Sequence, residues 1–188
     1  MMEILDAIFK RRSIRSFLDQ PVEQEKIIAC LQAAMAASTA ANSQPWEFVV
    51  VTQSETLKRF RDEFVFAKYQ APCAIVVCSN KKLAFKGPGH QMWIQDCSAA
   101  TQNILLAATS LGLGSVWIGI YPLEHNIKRL KSIINLPEDV TPLNIIYLGY
   151  PNEVKPPRTR YNEKRVYWQE YDQTRKHRLK NKPKTGHY

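Results

Sequence analysis

The sequence lacks the common hydrolytic signatures. It holds no G-x-S-x-G elbow, no H-E-x-x-H pair and no P-loop, which removes the usual grounds for a serine hydrolase, a zinc protease or a nucleotide hydrolase. Gly112-Leu113-Gly114 is too short for a dinucleotide fingerprint and reads as a helix stop. Histidine is scarce. His177 and His187 fall near the end of the chain and His90 and His125 stand alone, so no metal site is expected. The four cysteines, Cys30, Cys73, Cys78 and Cys97, form no C-x-x-C pair, and each lies among apolar or small residues. That pattern predicts buried, reduced thiols. No apolar run approaches the roughly 20 residues that span a bilayer. The start, Met-Met-Glu-Ile-Leu-Asp, has no basic stretch followed by an apolar one, so no leader peptide is expected. The expectation is a cytoplasmic protein without a membrane segment.

What is present is enough apolar sequence for one full core: 45% of 188 residues. The net charge of +9 is uneven, because residues 173–188 carry six basic side chains and no acid. Such a stretch, poor in apolar residues, reads as a solvated basic tail, 173–188, after a body of 1–172. The body alone gives little reason to invoke nucleic acid.

Periodicity predicts helices over 3–11, 22–35, 55–63, 91–111 and 123–134, with Ser54 as an N-cap. It predicts strands over 46–52, 73–78, 115–120 and 143–150. Gly112 and Gly114 end the longest helix, whose many alanines suit a central position and, in a symmetric dimer, the interface. Pro151, Pro156 and Pro157 make an extended arm. Strands alternating with helices imply a sheet with helices on both faces.

Two segments carry the chemistry. Arg11-Arg12-Ser13-Ile14-Arg15-Ser16-Phe17 gathers three guanidinium groups and two hydroxyls as the chain leaves a helix. It is either a solvated basic helix end or a phosphate site, since arginine forks and hydroxyls bind phosphate by charge-assisted hydrogen bonds. Asn42-Ser43-Gln44-Pro45-Trp46 puts two amides on a turn that enters an apolar strand, which suits the polar edge of a planar ring. Arg158 and Arg160, two apart on an extended arm, project to one side. They are either solvated charges or a second hand on the same phosphate. A phosphate at one end and a hydrogen-bonding heterocycle at the other describe a flavin mononucleotide. Scarcity of catalytic acids and bases agrees with this, because such a cofactor carries the redox chemistry itself.

These motifs resemble the nitroreductase family over nearly the whole body, about residues 2 to 170. The match rests on R-R-S-x-R-x-F at Arg11 to Phe17, on N-x-Q-P-W at Asn42 to Trp46, and on Gly149-Tyr150-Pro151 followed by Arg158 and Arg160. The resemblance implies an α+β fold with a mixed central sheet sandwiched by helices. It also implies a domain-swapped-like homodimer with an extended C-terminal arm and two FMN sites built from both chains. It implies NADH or NADPH as reductant, with hydride passing through flavin N5 to a nitroaromatic, a quinone or a related electron-poor small molecule, and no obligate catalytic side chain. Carried over residue by residue, Arg11, Arg12, Ser13, Arg15, Arg158 and Arg160 take the phosphate side. Thr39, Ala41, Asn42 and Gln44 take the ribityl and ring side, where Ser38-Thr39 replaces the Pro-Ser of many relatives. The backbone of Ile118 and Gly119 faces the N5 edge, Lys68 is a further contact, and 85–93 borders the substrate cavity. Reductive dehalogenation, flavin fragmentation and non-enzymatic flavin binding or redox sensing are alternatives on this fold. Only 63–72 offers room for the lid that dehalogenation would favour.

Overall fold

The computed structural model describes residues 3–175. The chain divides into two compact units, Met1–Pro157 and Arg158–Tyr188.

The first unit follows the predicted order of elements. These are α1 (Ile4–Lys10), α2 (Gln24–Met35), β1 (Trp46–Val51), α3 (Ser54–Glu63), β2 (Cys73–Asn80), α4 (Trp93–Ser110), β3 (Gly114–Gly119), α5 (Glu124–Ile134) and β4 (Val140–Gly149). The sheet order is β1-β2-β4-β3. Every strand pair is antiparallel, so among the described residues the expected mixed sheet has its parallel component only in an isolated bridge between Ser13 and Ser115. The reason is local: the parallel partner is the irregular chain leaving α1, not a fifth strand of this unit.

Alternation along the strands splits the core in two. Ala74, Val76, Ile145 and Tyr147 point to one face and pack with Leu57 and Phe60 of α3 and Leu130 of α5. Ile75, Val77, Ile146 and Leu148 point to the other and pack with Cys30 and Ala34 of α2 and Ala100 and Ile104 of α4. The small residues of α4 thus do what their pattern predicts: they bring a central helix close to the sheet.

Helix ends differ from expectation at two points. Gly112 stops α4 at φ +77°, and the Leu113 N–H donates to the Ala108 carbonyl at 2.8 Å, a Schellman closure. Gly114 is not part of that stop. It opens β3, where a Cβ would lie 2.8 Å from the Ile14 side chain. Ser54 is the first residue of α3 rather than its cap; Gln53 occupies the cap position and makes no side-chain cap bond.

The two ends of the sheet matter for function. Trp46 pairs with Ser79 and Gly119 with Asn144, so the start of β1 and the end of β3 share one end. Gly114 pairs with Gly149 at the opposite end.

The second unit, described by itself, holds a short 3-10 turn, Glu163–Arg165, capped by the Asn162 side chain. Tyr167 stacks on Tyr171 at 4.3 Å, and the Arg175 guanidinium lies 4.2 Å from the Tyr167 ring centre. Most of the predicted basic tail, residues 176–188, lies outside the described residues. Among the described residues no helix is long and apolar enough to cross a membrane.

Candidate functional site

The basic segment is threaded across the Gly114/Gly149 end of the sheet. The Ile14 N–H donates to the Ser115 carbonyl at 3.0 Å, and the Leu18 N–H to that of Tyr150 at 2.9 Å. Ile14 and Phe17 are buried in the core. Their depth is possible because the strand residues beside them are glycines: a Cβ on Gly149 would lie 3.1 Å from Phe17 and 2.7 Å from Pro72. With Ile14 and Phe17 turned inward, Arg15 is left exposed, while Arg11, Arg12 and Ser13 are half-buried. Arg12 donates to the Pro156 carbonyl. The Arg15 guanidinium lies 5.9 Å from the Tyr69 ring centre. The polar and apolar halves of R-R-S-x-R-x-F therefore do separate work, one anchoring the segment and one facing outward.

The amide loop sits at the other end of the sheet, before β1. Ala41, Asn42 and Gln44 all have positive φ, at 50°, 53° and 46°. Three left-handed non-glycine residues in four positions are costly, roughly 1–3 kcal/mol each, and persist only where surroundings enforce them. The enforcing contacts are present. Asp96 Oδ1 accepts the Ala40 N–H at 2.9 Å, Thr39 Oγ1 accepts the Gln44 N–H at 3.2 Å, and Gln44 Nε2 donates to Asn42 Oδ1 at 2.8 Å. Half of each amide is thereby spent internally, leaving Gln44 Oε1 and Asn42 Nδ2 to an incoming partner. The Ser43 hydroxyl is buried without a hydrogen-bond partner.

Ile118 and Gly119 end β3, the edge strand. Ile118 is buried and Gly119 exposed, and a Cβ on Gly119 would meet nothing within 4 Å. Both line a cavity of about 120 Å³ with Phe66, Leu123, His125 and Arg129. That is below the roughly 300–1,000 Å³ usual for a bound small molecule.

These parts fall into two groups. Ser13 bridges Ser115, and Gly119 lies four residues further along the same edge strand, about 13 Å away at strand rise. They can serve the two ends of one elongated ligand. The amide loop stands at Gly119's end of the sheet but precedes β1, the opposite edge strand, three strand spacings or about 14 Å across from β3. Asp96 fixes it at the first turn of α4, whereas Ser115 follows the last turn, and the helix between them is about 20 Å long. The helical segment before α4, Gly87–Met92, leads to the loop's end of the sheet. Lys68 donates to the carbonyls of Arg61 at 2.6 Å and Asp62 at 3.3 Å, closing the last turn of α3. A flavin contact from it would have to use its remaining proton. Arg158 and Arg160 are exposed at the start of the second unit.

Sequence reasoning passed over two acids. Asp96 holds the amide loop, and Glu153 Oε1 accepts the Arg15 N–H at 2.5 Å, the Ser16 N–H at 3.3 Å and the Lys155 ammonium at 2.8 Å. Burial works against the Glu153 charge, but those hydrogen bonds prevail and hold its carboxyl below the usual range. Both had a signal: an acid in an alanine-rich buried helix needs a partner, and Glu153 and Lys155 stand two apart on an extended chain, as Arg158 and Arg160 do.

An α+β sheet between helical layers, with a basic segment and a strained amide loop at its opposite ends, defines the structural class. Comparison with known proteins defines the family. The model described as the nitroreductase family matches residues 8–65 and 64–150, and the chain belongs to that family. It is 47% identical over 157 residues to an Archaeoglobus fulgidus protein named "Putative NADH dehydrogenase/NAD(P)H nitroreductase", covering 82% of this chain and 89% of that one. A crystal structure of a protein with the same name from Bacteroides thetaiotaomicron superposes with a TM-score of 0.84 at 41% identity, covering 89% of this chain and 98% of that one. An FMN-dependent nitroreductase from Clostridium difficile superposes with a TM-score of 0.78 at 31% identity, covering 89% and 99%.

Proposed function

We propose that the protein is a homodimeric, FMN-dependent NAD(P)H oxidoreductase that reduces nitroaromatics, quinones or related electron-poor planar molecules. The observation that carries the two-chain site is that the amide loop enters β1 while Ser13 and Gly119 lie along β3, the opposite edge of the sheet, with the loop also a helix length from the basic segment. A ligand that needs both takes them from different copies. The small cavity beside Gly119 agrees, because one chain does not enclose a ring system there. So does α1, whose apolar face of Ile4, Leu5, Ile8 and Phe9 is left 43–72% exposed.

The residues present fit FMN. Arg11, Arg12, Ser13 and Arg15 offer guanidinium forks and a hydroxyl to its phosphate. Gly119 leaves open space at the strand end, so the backbone of Ile118 and Gly119 can meet the ring closely. Thr39, Ala41, Asn42 and Gln44 of the second copy close over the polar edge, with Gln44 Oε1 and Asn42 Nδ2 available for hydrogen bonds. When bound, FMN supplies the hydride acceptor and donor that links NAD(P)H to the electron acceptor. This chain's part is to hold phosphate and ring at fixed separation, to add positive charge near an electron-rich reduced ring, and to leave one face open. No side chain of the set need move a proton.

Subunit complementation tests this arrangement. Arg11→Ala/Arg15→Ala and Asn42→Ala/Gln44→Ala chains each lose FMN and NAD(P)H oxidation. Mixed and refolded together, they form heterodimers with one site free of both lesions, and part of the activity returns. If mixing restores nothing while heterodimers form, the site is not shared between chains.

A further inference from the structure

We infer that Glu153 is a positioning residue for the phosphate half of the site, and that Lys155 serves it. The inference rests on the phosphate assignment proposed above. Residues 151–156 run antiparallel alongside 12–17. Pro151 bridges Phe17, the Asn152 N–H donates to the Ser16 carbonyl at 2.9 Å, and Arg12 donates to the Pro156 carbonyl. Between these ties the pairing passes to Glu153 and Lys155. Glu153 Oε1 takes the N–H groups of Arg15 and Ser16, and the Lys155 ammonium bridges Glu153 Oε1 and the Ser13 carbonyl, both at 2.8 Å. Glu153 and Lys155 are only partly exposed, at 26% and 23% of their side chains.

The arrangement has two consequences. The N–H groups of Arg15 and Ser16 are already committed to a carboxylate, so a phosphate must be taken by the side chains of Arg11, Ser13 and Arg15 and not by that stretch of backbone. Those side chains project from a backbone that Glu153 and Lys155 hold along one side and β3 along the other, which removes ordering that a phosphate would otherwise have to impose. The carboxylate also offsets part of the repulsion among Arg11, Arg12, Arg15 and Lys155 before any anion binds. Glu153 therefore acts through Ser13 and Arg15, without touching the ligand.

The test compares two ligands that differ by the phosphate. Full-length protein is stripped of flavin, and dissociation constants for FMN and for riboflavin are measured by fluorescence for the parent, Glu153→Ala, Glu153→Gln and Arg11→Ala, together with the melting temperature of each apoprotein. The expected result is a loss of preference for FMN over riboflavin of about tenfold in Glu153→Ala, the size of a lost charged hydrogen bond. Riboflavin binding should be little changed. Glu153→Gln, which keeps the shape and one acceptor oxygen, provides the same comparison if the alanine variant does not fold. A merely structural role would weaken both ligands alike and leave their ratio unmoved. An unchanged ratio in both Glu153 variants, with a collapsed ratio in Arg11→Ala, overturns the inference and leaves the phosphate assignment standing. An unchanged ratio in Arg11→Ala as well overturns the assignment, and the inference with it.

Discussion

The carboxylate of Asp96 accepts the main-chain N–H of Ala40 at 2.9 Å, tying the first turn of α4 to a loop 56 positions earlier in the chain. Asp96 is 4% exposed, and its second oxygen is buried without a partner. The bond holds the entrance of a loop with three left-handed residues, so its loss should be felt twice. Asp96→Ala leaves the Ala40 N–H unsatisfied, at a cost of about 1–3 kcal/mol. The expected outcome is a lower urea midpoint and faster proteolysis within 36–44. Asp96→Asn keeps an acceptor oxygen and should lose less. Equal losses in the two variants would show that the charge, not the hydrogen bond, matters there.

Two glycines on β3 should respond in opposite ways. A methyl on Gly114 meets Ile14 at 2.8 Å, so Gly114→Ala should cost about 1–3 kcal/mol of stability through overpacking. A methyl on Gly119 meets nothing within 4 Å, so Gly119→Ala should leave the apoprotein's denaturation curve nearly unchanged. If Gly119 faces the flavin, the same variant bound to FMN should be reduced by NAD(P)H at least tenfold more slowly. A Gly119→Ala protein with parental reduction kinetics would remove that strand end from the site.

The cysteines should be inert in the folded protein. All four are buried and free, and burial pushes the thiols of Cys30 up to about 11 and of Cys73 and Cys78 to about 12. A thiol reagent at pH 8 should titrate none of them until denaturant is added, and then four. Their raised values stabilise the fold below the unfolded thiol range near 9, and this contribution is lost as pH rises toward 11 to 12. Rapid native labelling at pH 8 would contradict the burial.

Glu153 gives the acid limb. Its carboxyl is held low, so its contribution is present above the unfolded value of 4.5 and lost as pH falls through the lower folded value. Urea midpoints measured from pH 7 down to pH 3 should fall less steeply for Glu153→Gln than for the parent. Parallel profiles would mean the carboxylate is not ionised against Arg15, Ser16 and Lys155 as the geometry requires.

Much of this was legible in the sequence, and the reasons differ by element. The order of nine helices and strands followed from periodicity, because each element buries one face and the pattern records which. Gly112 was legible as a stop, since only a left-handed residue closes α4 that way. Gly114 was not, because its need for no side chain comes from Ile14, about a hundred positions away. The antiparallel pairing of every strand is likewise a property of neighbours, not of any one segment. For the site, residue types pointed to a phosphate and a ring, and the structure puts Ser13 and Gly119 on one strand edge. That Asn42 and Gln44 stand at the far end of α4 from Ser13 could not be read from spacing. It depends on the direction in which α4 and β1 run through the fold.

The central claim is a flavin that NAD(P)H can reduce, and the visible absorption spectrum tests it most directly. The protein is purified, or reconstituted with FMN, and NADH or NADPH is added without oxygen. The account predicts the bands of an oxidised flavin, bleaching with one equivalent of reductant per flavin and returning when a quinone or nitroaromatic is admitted. A colourless protein that does not take up FMN, or bound flavin that neither nucleotide bleaches, would contradict it.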